Sequence, residues 1–205
     1  HFKVPSGRAA TGVPNLPAMT DFRVHTYTAA EPGIFVNGYL LETADGVVLV
    51  DSTLLVSDAE ALAARLAALH KPLLAAFVTH PHPDHYNGLP YVAGDDVPVY
   101  ATAAVARTIE ETAAAKRDQW QPTYGDEWPS RVRVPNQTVP VVEVGGLQIE
   151  VHDVGAGESH ADSYLVVQAG DRRAAFIGDL AFDGTHSYLS DGHSGAWLDI
   201  LDRLT

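Results

Sequence analysis

Apolar and polar positions divide the chain into short extended runs and two helical stretches. Residues 23–27 alternate, and 33–42 and 46–51 form two further strand-like runs. Ala44, Asp45 and Gly46 lie between the last two and form a hairpin signal. Residues 61–69 are Ala- and Leu-rich with the apolar period of a helix, and Ser57 and Glu60 ahead of them fit a capping box. His70, at the C-terminal end of that helix, sits where the helix dipole favours a cation. The run Leu73, Leu74, Ala75, Ala76, Phe77, Val78 reads as a buried strand, and the strand–helix–strand order suits one α/β layer.

A short strand is expected at 97–101, and Thr102 can cap a second helix over about 103–116. Residues 120–135 are aperiodic and carry Trp120, Pro122, Tyr124, Trp128 and Pro129. They predict a loop that either walls a substrate cleft or covers the edge of the core. The second half returns to strands at 138–144 and 147–154 around Gly145 and Gly146, then at 164–168 and 174–177, with a closing helix over 195–204. Residues 1–20, rich in Pro, Gly and Ala, predict an irregular arm.

The totals narrow the function classes. At 205 residues and 46% hydrophobic, the chain suits a single domain over 1–205 with one sizeable core. No apolar run reaches the length of a membrane span. A formal charge of −13, with no evident basic patch, argues against a nucleic-acid partner. There is no cysteine, hence no disulfide and no thiolate ligand. The chain opens on His1, Phe2 and Lys3, without an initiating Met or a signal-peptide pattern. The sequence reads as soluble and leaves compartment and oligomeric state open.

Candidate chemistry concentrates directly after the 73–78 run. There Thr79 is followed by His80, Pro81, His82, Pro83, Asp84 and His85, which places four potential metal ligands in six positions. Each proline pushes the residue before it toward extended geometry, and extended residues two apart point the same way. The imidazoles of His80 and His82 are therefore expected on one side of the loop. Imidazole and carboxylate suit zinc, and also iron or manganese. Asp84 and His85 cannot face one way in an extended chain, and a second metal beside the first would use both.

This H-x-H-x-D-H run after an apolar strand resembles the signature of the metallo-β-lactamase-fold hydrolases. The resemblance implies an α/β fold of four layers, an αββα sandwich, here without its last C-terminal strand–helix unit. It makes His160, in Gly157, Glu158, Ser159, His160, the third ligand of the first site, and Asp179, after an apolar strand and Gly178, the carboxylate bridging two metals. Asp84 and His85 would hold the second metal, with Asp84 able to orient the attacking water in a one-metal form. Asp51, at the end of the 46–51 run, is either a support for the ligands or a turn or cap aspartate. Family members usually carry one more histidine beyond the closing helix, whereas this chain stops at Thr205 and offers only His186 and His193 downstream of Asp179. Either the chain is shortened or the second site is incomplete. His25 and His152 read as structural.

A metal with an open position would generate hydroxide at neutral pH. A zinc-dependent hydrolase of one or two ions, acting on an ester, thioester, lactone or phosphoester, is the first expectation. A β-lactam is disfavoured, because the β-lactamases of the family generally lack the bridging aspartate and many use a cysteine at the second site. An iron oxidoreductase of the persulfide-dioxygenase type and a metal-binding but inactive fragment are the alternatives.

Overall fold

The computed structural model describes residues 21–204; the arm expected at 1–20 lies outside the described residues. Five strands form the first sheet in the order β1 (Arg23–Thr28), β2 (Asn37–Glu42), β3 (Val47–Val50), β4 (Leu73–Phe77) and β5 (Val99–Tyr100). The helix α1 (Val56–Ala68) crosses between β3 and β4, which pair in parallel. The short helices α2 (Pro83–Tyr86) and α3 (Leu89–Val92), and then the long α4 (Ala103–Tyr124), flank β5. The second sheet is an antiparallel meander of β6 (Val141–Val144), β7 (Leu147–Gly155), β8 (Asp162–Ala169) and β9 (Arg172–Phe176), followed by α5 (Ser194–Leu204).

Strand β3 explains the layering. Its sequence is apolar throughout and every residue is buried, the pattern of a strand covered on both faces. Val47 and Leu49 point to a core shared with Leu62, Leu66, Val105 and Ile109 of α1 and α4. Val48 and Val50 point to a second core with Phe77, Ile149, Leu165 and Phe176, between the two sheets. On the outer side of the second sheet, Trp197 and Ile200 of α5 pack with Leu180, Val154 and Tyr164. The order is therefore helix, sheet, sheet, helix, as expected. Gly145 and Gly146, both at positive φ, close the β6–β7 hairpin. No helix among the described residues is long and apolar enough to cross a membrane.

Three local expectations need correction. The strand placed at 33–42 begins only at Asn37, because Ile34 and Phe35 adopt left-handed backbone with φ of 55° and 58°. The capping box does not form: α1 starts at Val56, so Ser57 lies inside its first turn and donates its N–H to the Glu127 carboxylate at 3.0 Å. Helix α4 starts as expected, with Thr102 Oγ1 accepting from the Val105 N–H at 3.2 Å, but runs to Tyr124 instead of stopping near 116. Pro122 is tolerated because it sits in the last turn, where a missing N–H costs a single carbonyl its partner. Trp120, Tyr124 and Trp128 pack in series there, at centroid distances of 6.4 and 6.1 Å.

Candidate metal centre

Because β3 and β4 are parallel, their carboxyl ends open on the same rim of the first sheet, where open α/β sheets place ligands. Asp51 follows β3 directly, and the 79–85 loop follows β4. The second sheet reaches the same rim through the β7–β8 loop and the end of β9. Ser163 fastens the two, its N–H and Oγ both donating to the Thr79 carbonyl at 3.0 and 2.6 Å. Gly178 lets β9 close in: at φ 53°, a Cβ there would lie 2.6 Å from Thr79 Oγ1 and 3.2 Å from His80 Nδ1. Only glycine fits.

Asp51 organises the loop. It is buried, at φ 55°, a left-handed conformation that aspartate tolerates better than most residues. Its carboxylate accepts from the Thr79 N–H and Oγ1, both at 2.8 Å, and pairs with His85 Nδ1 at 2.9 Å. That bond leaves His85 Nε2 facing inward, 3.3 Å from both Asp84 Oδ2 and Asp179 Oδ1. Pro83 opens α2 as its first residue, a position suited to proline, with His82 extended before it at φ −80° and ψ 141°. Helical backbone, not extended chain, is what brings Asp84 and His85 to the site together.

The second ligand set lies beside the first. His82 Nδ1 is 3.0 Å and His80 Nε2 3.5 Å from Glu158 Oε2. The rings of His80 and His85 are 4.0 Å apart. Two overlapping groups thus present one ligand atom each within 4.8 Å: His80, His82 and Glu158, and His80, His85 and Asp179. These contacts are misaligned, so His80 Nε2, His85 Nε2 and both Glu158 oxygens are buried without a well-directed hydrogen bond among the described residues. Buried polar atoms are rarely left so, and four converging ones fit donors arranged around cations. The set is imidazole and carboxylate without thiolate, which suits zinc, iron or manganese.

The electrostatics divide the imidazoles. Burial, then the charges of His85 and His82, hold the His80 pKa well below the ordinary imidazole value, so it stays neutral as a ligand must. Burial opposes charge on His85, but Asp84, Asp179 and Asp51 outweigh it and raise its pKa well above the usual value. Burial raises Glu158 more than His82 lowers it. A cation would relieve these carboxylates.

His160 does not join the cluster. Its ring is exposed at the edge of the cluster, with Nδ1 2.7 Å from His193 Nε2 and Nε2 3.8 Å from the Asp191 carboxylate that also meets His82. The cause is the β7–β8 loop, where the Asp162 carboxylate accepts from the Ser159 N–H and Oγ at 2.9 and 3.0 Å. Ser159 and Glu158 are drawn inward, and His160 is turned out. Glu158 is the ligand-type residue that the sequence reading passed over. A signal for it exists: like Asp179, it is a carboxylate directly after a glycine at a strand end. His186 lines the cleft beside the cluster. His25 pairs with Glu42, and His152 with Glu150 while stacking on Tyr164, all away from it.

His82 has a further partner, since its Nε2 lies 3.1 Å from Asp191 Oδ2, in the segment between β9 and α5. Carboxylate on one ring nitrogen fixes which nitrogen faces a metal and makes it more basic. Asp191→Asn is expected to weaken metal binding roughly tenfold to a hundredfold without changing the circular dichroism spectrum, as measured by competition with a metal-sensitive dye. Unaltered affinity would remove Asp191 from that role.

The cluster opens into a cleft of about 860 Å³. Ile34, Phe35, Trp120, Tyr124, Phe182 and Tyr188 are among the residues that wall it. The 120–135 stretch thus does both things expected of it: Trp120 and Tyr124 line the cleft, while Trp128 is buried against Leu54 and Leu55.

A family model described as the metallo-beta-lactamase superfamily matches residues 32–205. Among solved structures, a metallo-beta-lactamase from Pontibacter korlensis is similar at a TM-score of 0.65 and 22% identity, covering 90% of this chain and 84% of its own. The protein TTHA1623, solved in a di-iron-bound form, has a TM-score of 0.63 and 27% identity over 88% of this chain and 85% of its own. The BLEG-1 B3 metallo-beta-lactamase has a TM-score of 0.67 and 19% identity over 88% and 84%. No curated protein matches the chain.

Proposed function

The chain belongs to the metallo-beta-lactamase superfamily, and on that footing we propose that it is a metal-dependent hydrolase of a small molecule carrying an ester, thioester, lactone or phosphoester bond. The observation that carries this reading is the pair of overlapping ligand groups around His80, with their buried atoms that lack a well-directed hydrogen bond. His80, His82 and Glu158 would hold one ion, zinc in the first instance, and Asp84, His85 and Asp179 a second. Bound divalent metal supplies a water of lowered pKa and a Lewis acid for the scissile oxygen.

The chain's own groups do the rest. Burial pushes the Asp84 carboxyl up, but the His85 charge outweighs it, so Asp84 is ionised and able to accept a proton from water in the cleft. Asp51 and Asp191 hold His85 and His82 in the orientations that ligation needs. Absence of cysteine and presence of Asp179 favour these substrates over a β-lactam.

A second reading has one observation in its favour. Two histidines and a carboxylate, as in His80, His82 and Glu158, are also the ligand set of mononuclear non-haem iron oxygenases. The test loads the chain with zinc, manganese or iron(II), counts bound metal, and follows hydrolysis of a panel of the four bond types alongside oxygen uptake. Hydrolysis with two ions per chain is expected. Oxygen uptake confined to the iron form, with no hydrolysis, would establish the oxygenase reading instead, and firmly bound metal with neither activity would mark an inactive metal-binding domain. Asp179→Ala is expected to lose chiefly the second ion, so that bound metal falls to about one per chain by elemental analysis.

A further inference from the structure

We infer that Lys116 selects substrates bearing an anionic group, a carboxylate at the far end of an apolar body whose reactive bond lies at the metal cluster. The inference rests on the hydrolase reading and specifies its substrate class. Lys116, Trp120 and Tyr124 are spaced four apart on α4, so they share one helix face, and all three line the cleft. Tyr124 packs with Trp128 against Leu54 and Leu55, just beyond Asp51. Lys116 lies two turns back, about 12 Å along the helix axis from Tyr124.

The cleft therefore offers an aromatic wall ending in a cation. Among the described residues lining it, Lys116 is the only lysine or arginine. It is half-buried and makes no ion pair among the described residues, whereas its neighbour Arg117 donates to the Ser130 carbonyl at 2.9 Å. Asp51, Asp84, Glu158 and Asp179 line the same cleft at the metal cluster, and Asp183 lines it as well. In a chain of charge −13, a substrate anion has few places to settle, and Lys116 supplies one at a distance from the carboxylates of the cluster.

The test compares the para-nitrophenyl ester of octanoic acid with the mono-para-nitrophenyl ester of suberic acid, which adds a terminal carboxylate, on the metal-loaded chain. Lys116→Met is expected to raise KM for the suberate ester about fivefold with kcat unchanged, and to leave the octanoate ester alone. Lys116→Arg should restore the difference, and raising salt should erase it. Equal effects on both esters, or none, would overturn the assignment. Should the wild-type chain cleave neither ester, these esters are not its substrates, the four-bond panel judges the hydrolase reading, and binding decides the role of Lys116 by itself. Quenching of tryptophan fluorescence in the metal-free chain reports that binding. Lys116→Met is expected to weaken phenylbutyrate about fivefold and phenylbutanol not at all. Identical affinities in the two proteins would end the proposal.

Discussion

Glu158→Gln is expected to empty the first metal position and to lower hydrolysis at least about a hundredfold, whereas His160→Ala leaves metal content and turnover near wild type. Glutamine keeps the shape of Glu158 and removes the charge that lies 3.0 Å from His82 Nδ1 and 3.5 Å from His80 Nε2. His82→Ala should match Glu158→Gln, because it removes another member of the same group. Elemental analysis and kcat/KM on one preparation of each variant check both properties, with circular dichroism as control for folding. A Glu158→Gln protein that keeps its metal, beside a His160→Ala protein that loses it, would restore the histidine to the site.

Asp51→Asn is expected to destabilise the metal-free chain by about 1–3 kcal/mol and to weaken metal binding roughly tenfold or more. Asparagine tolerates the left-handed backbone at this position, so the change acts through chemistry. An amide nitrogen would have to face either the Thr79 N–H or both the Thr79 hydroxyl and the His85 ring, where the carboxylate now accepts from all three. Asp51→Ala should cost more, since it also leaves three donors without an acceptor. Urea denaturation in chelator measures the first effect and metal titration the second. An unchanged unfolding midpoint would show that the bonds of Asp51 do not hold the rim together.

Much of this was legible in the residues. The apolar run of β4 followed by alternating histidine and proline announces both a buried strand and a ligand loop at its end. The four-layer order followed from the family resemblance that this loop carries, and the strands and helices along the chain match it. What the sequence hid were features decided across the fold. Ile34 and Phe35 read as strand because their side chains are β-formers, yet both take left-handed backbone at the mouth of the cleft. Trp120 and Pro122 read as loop because proline argues against helix, yet stacking with Tyr124 and Trp128 carries α4 through them. The spacing around Gly157 pointed to His160, and bonds from Ser159 to Asp162 turned Glu158 inward instead. Asp51 stood undecided between support and cap until Thr79 and His85 were seen against it.

The bonds from Ser163 to Thr79 join the sheets at the rim that carries the site, and the ligands on either side of that seam come from different halves of the polypeptide. His80, His82 and His85 belong to one half, and Glu158 and Asp179 to the other. An ion seated between them would act as a removable cross-link between two folding units. Resistance to heat would then rise with the free-ion activity of the surroundings, and a chelator would loosen the whole molecule as well as silence its chemistry.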